Sequence, residues 1–368
     1  MDMNEKAVGP GERAAFRHWR IDRDRDGIAW VTLDKPDASM NTFSADVLAE
    51  FSGVLDELDR DPPRGMVLRS GKASGFAAGA DVEEFKRVQT VEEALPIVKR
   101  GWVRYPTLAL IHGFAMGGGL EVALACRYRI AVDDPATRLS LPEVMLGILP
   151  GWGGVKRLPK VAGPSAALDL MLTGKTVDAR RAKKLGIVDA CVPARVKDNA
   201  ARMTLLEAAP PRTLGFRDRM MAGPLRGFVA SMARKQVARR ARPEHYPAPY
   251  AIIDLWERHD GDPFAAGVMA TLLGHPTTKN LIRVLGLQDR LKALGKESTF
   301  VAKHVHVIGA GTMGGDIAAW CALRGCTVTL QDQSADKLAP AMKRAQVLFE
   351  RRLRGDRLRQ RDAFDRLV

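Results

Sequence analysis

Glu121 and Glu143 are the side chains of this 368-residue sequence whose settings point most directly to acid–base chemistry. Glu121 follows Gly117-Gly118-Gly119 where a helical pattern starts, and Gly118, Leu124, Ala125 and Tyr128 share its face. Glu143 stands in LSLPEVMLGILPG among Leu141, Val144 and Leu146. A carboxylate in apolar surroundings must be paired, hydrogen-bonded or neutralised. Two of them are candidates for displaced pKa values and proton transfer. The plainer alternative for each is a glutamate satisfied by backbone amides, or one exposed at a turn. Two loops shift the balance toward chemistry. FAAGAD (76–81) and AMGGGLE (115–121) both follow strands and carry little side-chain bulk, so their backbone N–H groups can approach a ligand oxygen. A helix N-terminus at 118–120 adds a positive dipole end. Two such donors at one point form an oxyanion hole, and loss of one costs about 3–4 kcal/mol of barrier.

The elements that must hold these residues follow from periodicity. GIAWVTLD (27–34) alternates and reads as a strand, and Asp34-Lys35-Pro36-Asp37 breaks it. Ser44 can cap a helix whose face carries Val47, Leu48, Phe51 and Leu55. Further strands are RGMVLR (64–69), PTLALIHG (106–113) and YRIAVD (128–133), with a helical stretch from about Val91 to Tyr105. This rhythm over the first 190 residues or so predicts an α/β domain. Residues 164–300 are mostly helical in pattern, interrupted by Pro243, Pro247 and Pro249.

A second glycine motif opens at Gly309. Gly309-Ala310-Gly311-Thr312-Met313-Gly314 follows the strand HVHVIG and starts the helix MGGDIAAWCALRG, and the strand CTVTLQD ends at Asp332. In that context GxGxxG is a dinucleotide site: Gly309, Gly311 and Gly314 allow the tight turn and close pyrophosphate approach, and Asp332 takes the ribose hydroxyls. An aspartate there favours NAD over NADP.

FAAGAD, IHGFAMGGGLEVALAC, LSLPEVMLGILPGWGG and TGKTVDARRAKKLGIVD, in that order, resemble the enoyl-CoA hydratase/isomerase (crotonase) family over roughly residues 25–195. The resemblance implies a crotonase-like spiral of ββα units. It makes Glu121 and Glu143 the catalytic pair, with Ala80 and Gly118 supplying the oxyanion-hole amides and Gly151 holding the water. Ala38, Met40 and Asn41, in DKPDASMNTFS, resemble the loop that meets CoA. The implied reaction is hydration of a trans-2-enoyl-CoA thioester, with Glu143 the main proton donor or acceptor and Glu121 the water-orienting base. The same pair could move a 3-enoyl double bond to position 2.

The order of hydratase, helical connector and VIGAGTMGGDIA is similar to the multifunctional fatty-acid oxidation α-subunit family, in which 3-hydroxyacyl-CoA dehydrogenase follows enoyl-CoA hydratase. The expected divisions are a hydratase domain over 15–200, a helical extension and linker over 201–300, and the first part of an NAD-binding dehydrogenase domain over 301–368, a partial Rossmann βαβ unit. Only 36 residues follow Asp332 and they read as one arginine-rich helix, so the chain looks truncated. No dehydrogenase activity and at best weak NAD binding are expected, with unpaired edges on the two terminal strands. The resemblance suggests a homo-oligomer through the first domain and, for multifunctional chains, a thiolase subunit as partner.

Composition narrows the remaining classes. Hydrophobic residues at 46% and charged residues at 27% are globular values, and the length allows two or three domains at about 150 residues each. Cys126, Cys191, Cys321 and Cys326 form no CxxC pair, which fits a reducing compartment and implies neither zinc nor a disulfide frame. The start has no apolar core of a secretory signal, and the most apolar stretch, around His112 and Glu121, is wrong for a membrane span. A cytoplasmic protein is expected. The net charge of +14 is concentrated in RKQVARRAR (234–242) and the tail 351–368. Without interleaved aromatics or a nucleic-acid motif, these read as solvated helical faces, with general attraction for polyanionic small molecules. The competing readings are an isomerase, or a non-catalytic fragment binding CoA or polyanions.

Overall fold

The computed structural model describes residues 16–80, 103–295 and 299–368. The chain divides into two compact units, Met1–Leu287 and Gln288–Val368.

In the first unit the strands are β1 (Trp19–Arg23), β2 (Ile28–Leu33), β3 (Gly65–Ser70), β4 (Gly75–Ala77), β5 (Thr107–Ile111), β6 (Phe114–Met116), β7 (Tyr128–Val132), β8 (Arg138–Ser140), β9 (Val177–Asp178) and β10 (Ala190–Val192). They form a six-stranded sheet of order β1-β2-β3-β5-β7-β10 and a four-stranded sheet of order β4-β6-β8-β9. Successive pairs β3/β4, β5/β6 and β7/β8 each give one strand to each sheet. That alternation is the expected spiral of ββ units. All neighbours along β2-β3-β5-β7-β10 run parallel. A parallel sheet is covered on both faces, so its strands read as continuous apolar runs. β2, IAWVTL, is accordingly buried at every position. Ala29, Val31 and Leu33 join the main core, whereas Ile28 and Trp30 face a second cluster with Val67, Leu108, Leu110, Ile130 and Leu205.

The helices that matter for the site are α1 (Ala45–Arg60), α2 (Gly118–Ala125), α3 (Gly154–Ala162) and α4 (Pro164–Thr173), with a 3-10 turn at Glu143–Leu146 between β8 and α3. Helices α5 (Ala179–Leu185), α6 (Lys197–Glu207), α7 (Phe216–Ala222), α8 (Arg226–Ala238), α9 (Ala248–Arg258) and α10 (Val268–Gly274) follow, and α11 (Pro276–Ala293) contains the boundary between the units. Ser44 is the N-cap of α1, but its hydroxyl bonds the Asp46 carboxylate and not a backbone amide. The helix expected from Val91 lies, up to residue 102, outside the described residues; 103–105 are turn.

The second unit pairs β11 (His304–Ile308) and β12 (Thr327–Gln331) in parallel across α12 (Thr312–Leu323). The tail is not one helix but two, α13 (Ala335–Arg352) and α14 (Arg357–Asp365). Nor is the edge of β12 left unpaired. The last residues run alongside it: the Val328 amide donates to Arg366 O (2.7 Å), that of Leu330 to Val368 O (2.8 Å), and that of Val368 to Val328 O (2.7 Å). A small core of Ala318, Ala322, Val328, Ala345, Phe349 and Leu367 results. Among the described residues no helix is long and apolar enough to cross a membrane.

Candidate active site

The two glutamates arrive on different elements and in different electrostatic states. Glu121 lies in the first turn of α2 and is 2% exposed. Its Oε1 accepts hydrogen bonds from the Trp152 amide (2.8 Å) and the Gly154 amide (2.6 Å). Gly154 opens α3, so the carboxylate occupies the positive end of a second helix. Burial pushes its pKa up to about 7, against the pull of these two amides and of the Arg157 guanidinium.

Glu143 opens the 3-10 turn. Both of its carboxyl oxygens are buried, and neither has a hydrogen-bond partner among the described residues. Burial, and then the charge of Glu121, raise its pKa well above the ordinary value; only a weak pull from its own backbone amide opposes them. The plainer alternative, satisfaction by backbone amides, therefore describes Glu121 and fails for Glu143. A buried polar group without a partner requires an explanation.

The glycine turn before α2 faces both carboxylates. A Cβ on Gly117 would come 3.0 Å from Glu143 Oε1. On Gly118 it would fall 2.5 Å from the Trp152 ring, which is buried and packs edge-on to Phe43 at 5.8 Å. Only glycine lets that ring cover the helix start. The FAAGAD loop closes on the same point: a Cβ on Gly79 would lie 3.4 Å from the Gly118 nitrogen. The Phe43 amide donates to Gly79 O (2.9 Å), and Phe43 bridges Ala80 in parallel register. Ala80 and Gly118 thus belong to one patch with Glu121, Glu143 and Trp152. Gly151 stands one residue before the amides that reach Glu121, against the Met269 methyl.

The loop of Ala38, Met40 and Asn41 is placed differently from residue to residue. Met40 is 43% exposed and Ala38 is half-buried. Asn41 is fully buried and its side chain is occupied internally. It donates to Leu33 O and Ser70 Oγ, both at 2.9 Å, and accepts from the Lys35 amide at 3.0 Å. Its work is to hold the loop shape beside β2 and β3.

In the second unit the structure gathers Gly309, Gly311, Gly314 and Asp332. Gly311 is the N-cap of α12. A Cβ on Gly309 or Gly311 would meet nothing within 4 Å, whereas one on Gly314 would fall 1.8 Å from Gly309 O. The first two leave open space at the helix start, and the third permits the helix to pack on the turn. Asp332 accepts from the Ala310 amide (2.7 Å) and the Ser334 amide (3.0 Å), and these bonds lower its pKa. Among the described residues no cluster of His, Cys, Asp and Glu could hold a metal ion.

Three contributors escaped the sequence reading: the Trp152 and Gly154 amides, Arg157, and Tyr246, whose hydroxyl donates to Val144 O in the turn of Glu143. The PGWGG segment was legible as a loop, but nothing in it says which carboxylate its amides meet. Tyr246 also lines a separate hollow of about 860 Å³, with Leu168, Leu172, Phe216, Phe228 and Met232 on its walls. Neither glutamate borders that hollow.

Residues 23–223 match the family described as enoyl-CoA hydratase/isomerase, and the chain belongs to that family. Residues 304–367 match the 3-hydroxyacyl-CoA dehydrogenase, NAD binding domain. Two curated relatives of the chain are both named fatty acid oxidation complex subunit alpha. That of Vibrio campbellii is 36% identical over 351 residues, covering 89% of this chain and 50% of the relative. That of Vibrio cholerae serotype O1 is 35% identical over 360 residues, covering 90% and 50%. The chain thus spans about half the length of these curated relatives. Among solved structures, an enoyl-CoA hydratase from Mycobacterium avium subsp. paratuberculosis shares the fold with a TM-score of 0.50 at 19% identity, over 74% of this chain and 100% of that one. The protein EchA1_1 from Mycobacterium paratuberculosis does so with a TM-score of 0.52 at 24% identity, over 73% and 95%.

Proposed function

We propose that the first unit is an enoyl-CoA hydratase acting in fatty-acid oxidation, with Glu121 as base and Glu143 as acid. The observation that carries this reading is the asymmetry of the pair. One carboxylate is held by two amides at a helix start, and the other is buried without a hydrogen-bond partner among the described residues, so one proton is shared by two unequal sites. The Ala80 and Gly118 amides receive the thioester oxygen. Ionised Glu121 takes a proton from water as its oxygen bonds to C3. The C2=C3 electron pair moves onto the thioester as an enolate, which the two amides stabilise. Protonated Glu143 then delivers its proton to C2, and the thioester carbonyl re-forms. The cycle ends with Glu121 protonated and Glu143 ionised, and proton transfer between them or through solvent restores the start. The exposed Met40 and the half-buried Ala38 lie on the loop that meets CoA, with Asn41 as its internal brace.

For the second unit, the open space at Gly309 and Gly311, the start of α12 and Asp332 fit the pyrophosphate and ribose of NAD, which when bound accepts hydride. We assign no dehydrogenation to these residues. His304 and His306 bond Thr329 Oγ1 (2.7 Å) and Gln331 Oε1 (3.0 Å), not a carboxylate. A thiolase subunit and self-association through the first unit remain part of the proposal by analogy with the multifunctional relatives.

The test is loss of the ultraviolet absorbance of a short 2-enoyl-CoA on adding the full chain, with a 3-enoyl-CoA as comparator. Glu143→Gln should lower hydration by about 10²–10⁴ while the cooperative melt is kept. Turnover of the 3-enoyl thioester alone would make the protein an isomerase. Turnover of neither by a folded chain would leave the non-catalytic reading.

A further inference from the structure

Arg157 lies in the first turn of α3, just after the WGG turn. Its Nη1 donates to the Trp152 carbonyl at 2.6 Å, and the amide of that same residue is one of the two donors on Glu121. The guanidinium folds back over the turn so closely that a Cβ on Gly153 would come 2.3 Å from Nη1. The conformation of Gly153, at φ 94°, keeps that face of the turn open. Among the described residues no carboxylate stands within ion-pair distance of this half-buried cation. Its electrostatic partners are Glu121 in α2 and the Cys126 thiol at the C-cap of that helix. Burial pushes the thiol up to about 11, so it stays neutral. Among the described residues Glu121 is then the anion that answers the charge of Arg157.

We propose that Arg157 is a positioning residue: it fixes the Trp152–Gly154 turn on Glu121 and lays a positive charge beside it, so that Glu121 and not Glu143 is the ionised member of the pair. Among the described residues, the groups acting on Glu121 are Glu143 from the 3-10 turn, and Arg157 with the two amides from the start of α3. The two amides and Arg157 all favour a charge at Glu121, and of these three Arg157 alone carries a full charge of its own. The arginine thereby sets which carboxylate begins each cycle as base. This inference rests on reading the two glutamates as an acid–base pair, but its physical content, the order of ionisation, can be read without turnover.

The test compares Arg157→Lys and Arg157→Gln in the full chain. The Lys variant keeps the charge; the Gln variant keeps a donor for the Trp152 carbonyl and loses the charge. Carboxyl ¹³C resonances of labelled glutamate, assigned with Glu121→Gln and Glu143→Gln, are titrated in each, and the pH profile of kcat/KM for 2-enoyl-CoA hydration is recorded beside them. In Arg157→Gln the Glu121 titration should move up by about one pH unit or more, and the low-pH limb of the profile with it. Arg157→Lys should stay near the wild type. Coincident Glu121 titrations in wild type and the Gln variant would overturn the proposal, as would a shift of equal size in the Lys variant. Should the Gln variant lack a cooperative melt, Arg157→Met serves as the neutral variant. A wild type that titrates as expected but turns over nothing would sink the hydratase reading and leave the role of Arg157 standing. Active enzyme with an unmoved titration would do the reverse.

Discussion

Replacing Glu121 by glutamine should make the protein more stable at alkaline pH and no more stable in acid. The glutamine oxygen can still accept from the Trp152 and Gly154 amides, so the substitution removes charge while retaining both hydrogen bonds. In the fold the Glu121 carboxyl titrates at about 7, against an ordinary 4.5. The folded state therefore binds its proton more tightly than the unfolded chain does. The stability this confers is fully present below pH 4.5 and is lost as the pH climbs through 7. At about 1.36 kcal/mol for each tenfold in proton affinity, ionising Glu121 costs the native state about 3 kcal/mol by pH 8. Glu121→Gln avoids that cost. Urea unfolding of both proteins at half-unit steps from pH 5 to 8 would read the difference directly. It should open from about 1 kcal/mol at pH 5 to about 3 kcal/mol at pH 8. A difference independent of pH, or a glutamine variant less stable than wild type at pH 8, would refute the reasoning. The first outcome would mean that the amides and Arg157 balance the cost of burial, the second that they outweigh it.

Three further outcomes follow from close contacts. Gly118→Ala drives a methyl to 2.5 Å from the Trp152 ring and should cost about 1–3 kcal/mol, seen as a lower Tm, together with a loss of hydration as the turn shifts. Gly314→Ala places a methyl 1.8 Å from Gly309 O; limited proteolysis should show cleavage concentrated in the second unit, with hydration by the first unit unchanged. Asn41→Ala breaks three internal hydrogen bonds of a fully buried side chain. It should lower stability by about 1–3 kcal/mol and raise KM for the CoA thioester more than it lowers kcat, which steady-state kinetics would separate.

Much of the local architecture was legible because its signals are local. The apolar run of β2, the face of α1 and the strand–glycine–helix order at Gly309 are each written within a dozen residues, and each forms where the pattern places it. The tail shows where such reading ends. Its arginine density suggested one helix, but Gly355 and Asp356 divide it, and Asp356 caps α14 by accepting from the Arg359 amide. Pairing of Leu367 and Val368 along β12 depends on where α13 and α14 return the chain, which no short window contains.

The same division holds at the site. Residue type and apolar surroundings singled out Glu121 and Glu143, and loops of minimal bulk marked the backbone that could meet a ligand. Those are properties of short segments, and sequence alone determines them. What distinguishes the two glutamates is not in either segment. Glu121 is answered by amides thirty-odd residues downstream and by Arg157, because the spiral brings the start of α3 onto α2. Glu143 is left unanswered among the described residues because the turn that carries it buries both oxygens behind Gly117. Proton affinity depends on burial and on the charges and donors within a few ångströms, and only the tertiary structure decides which groups those are.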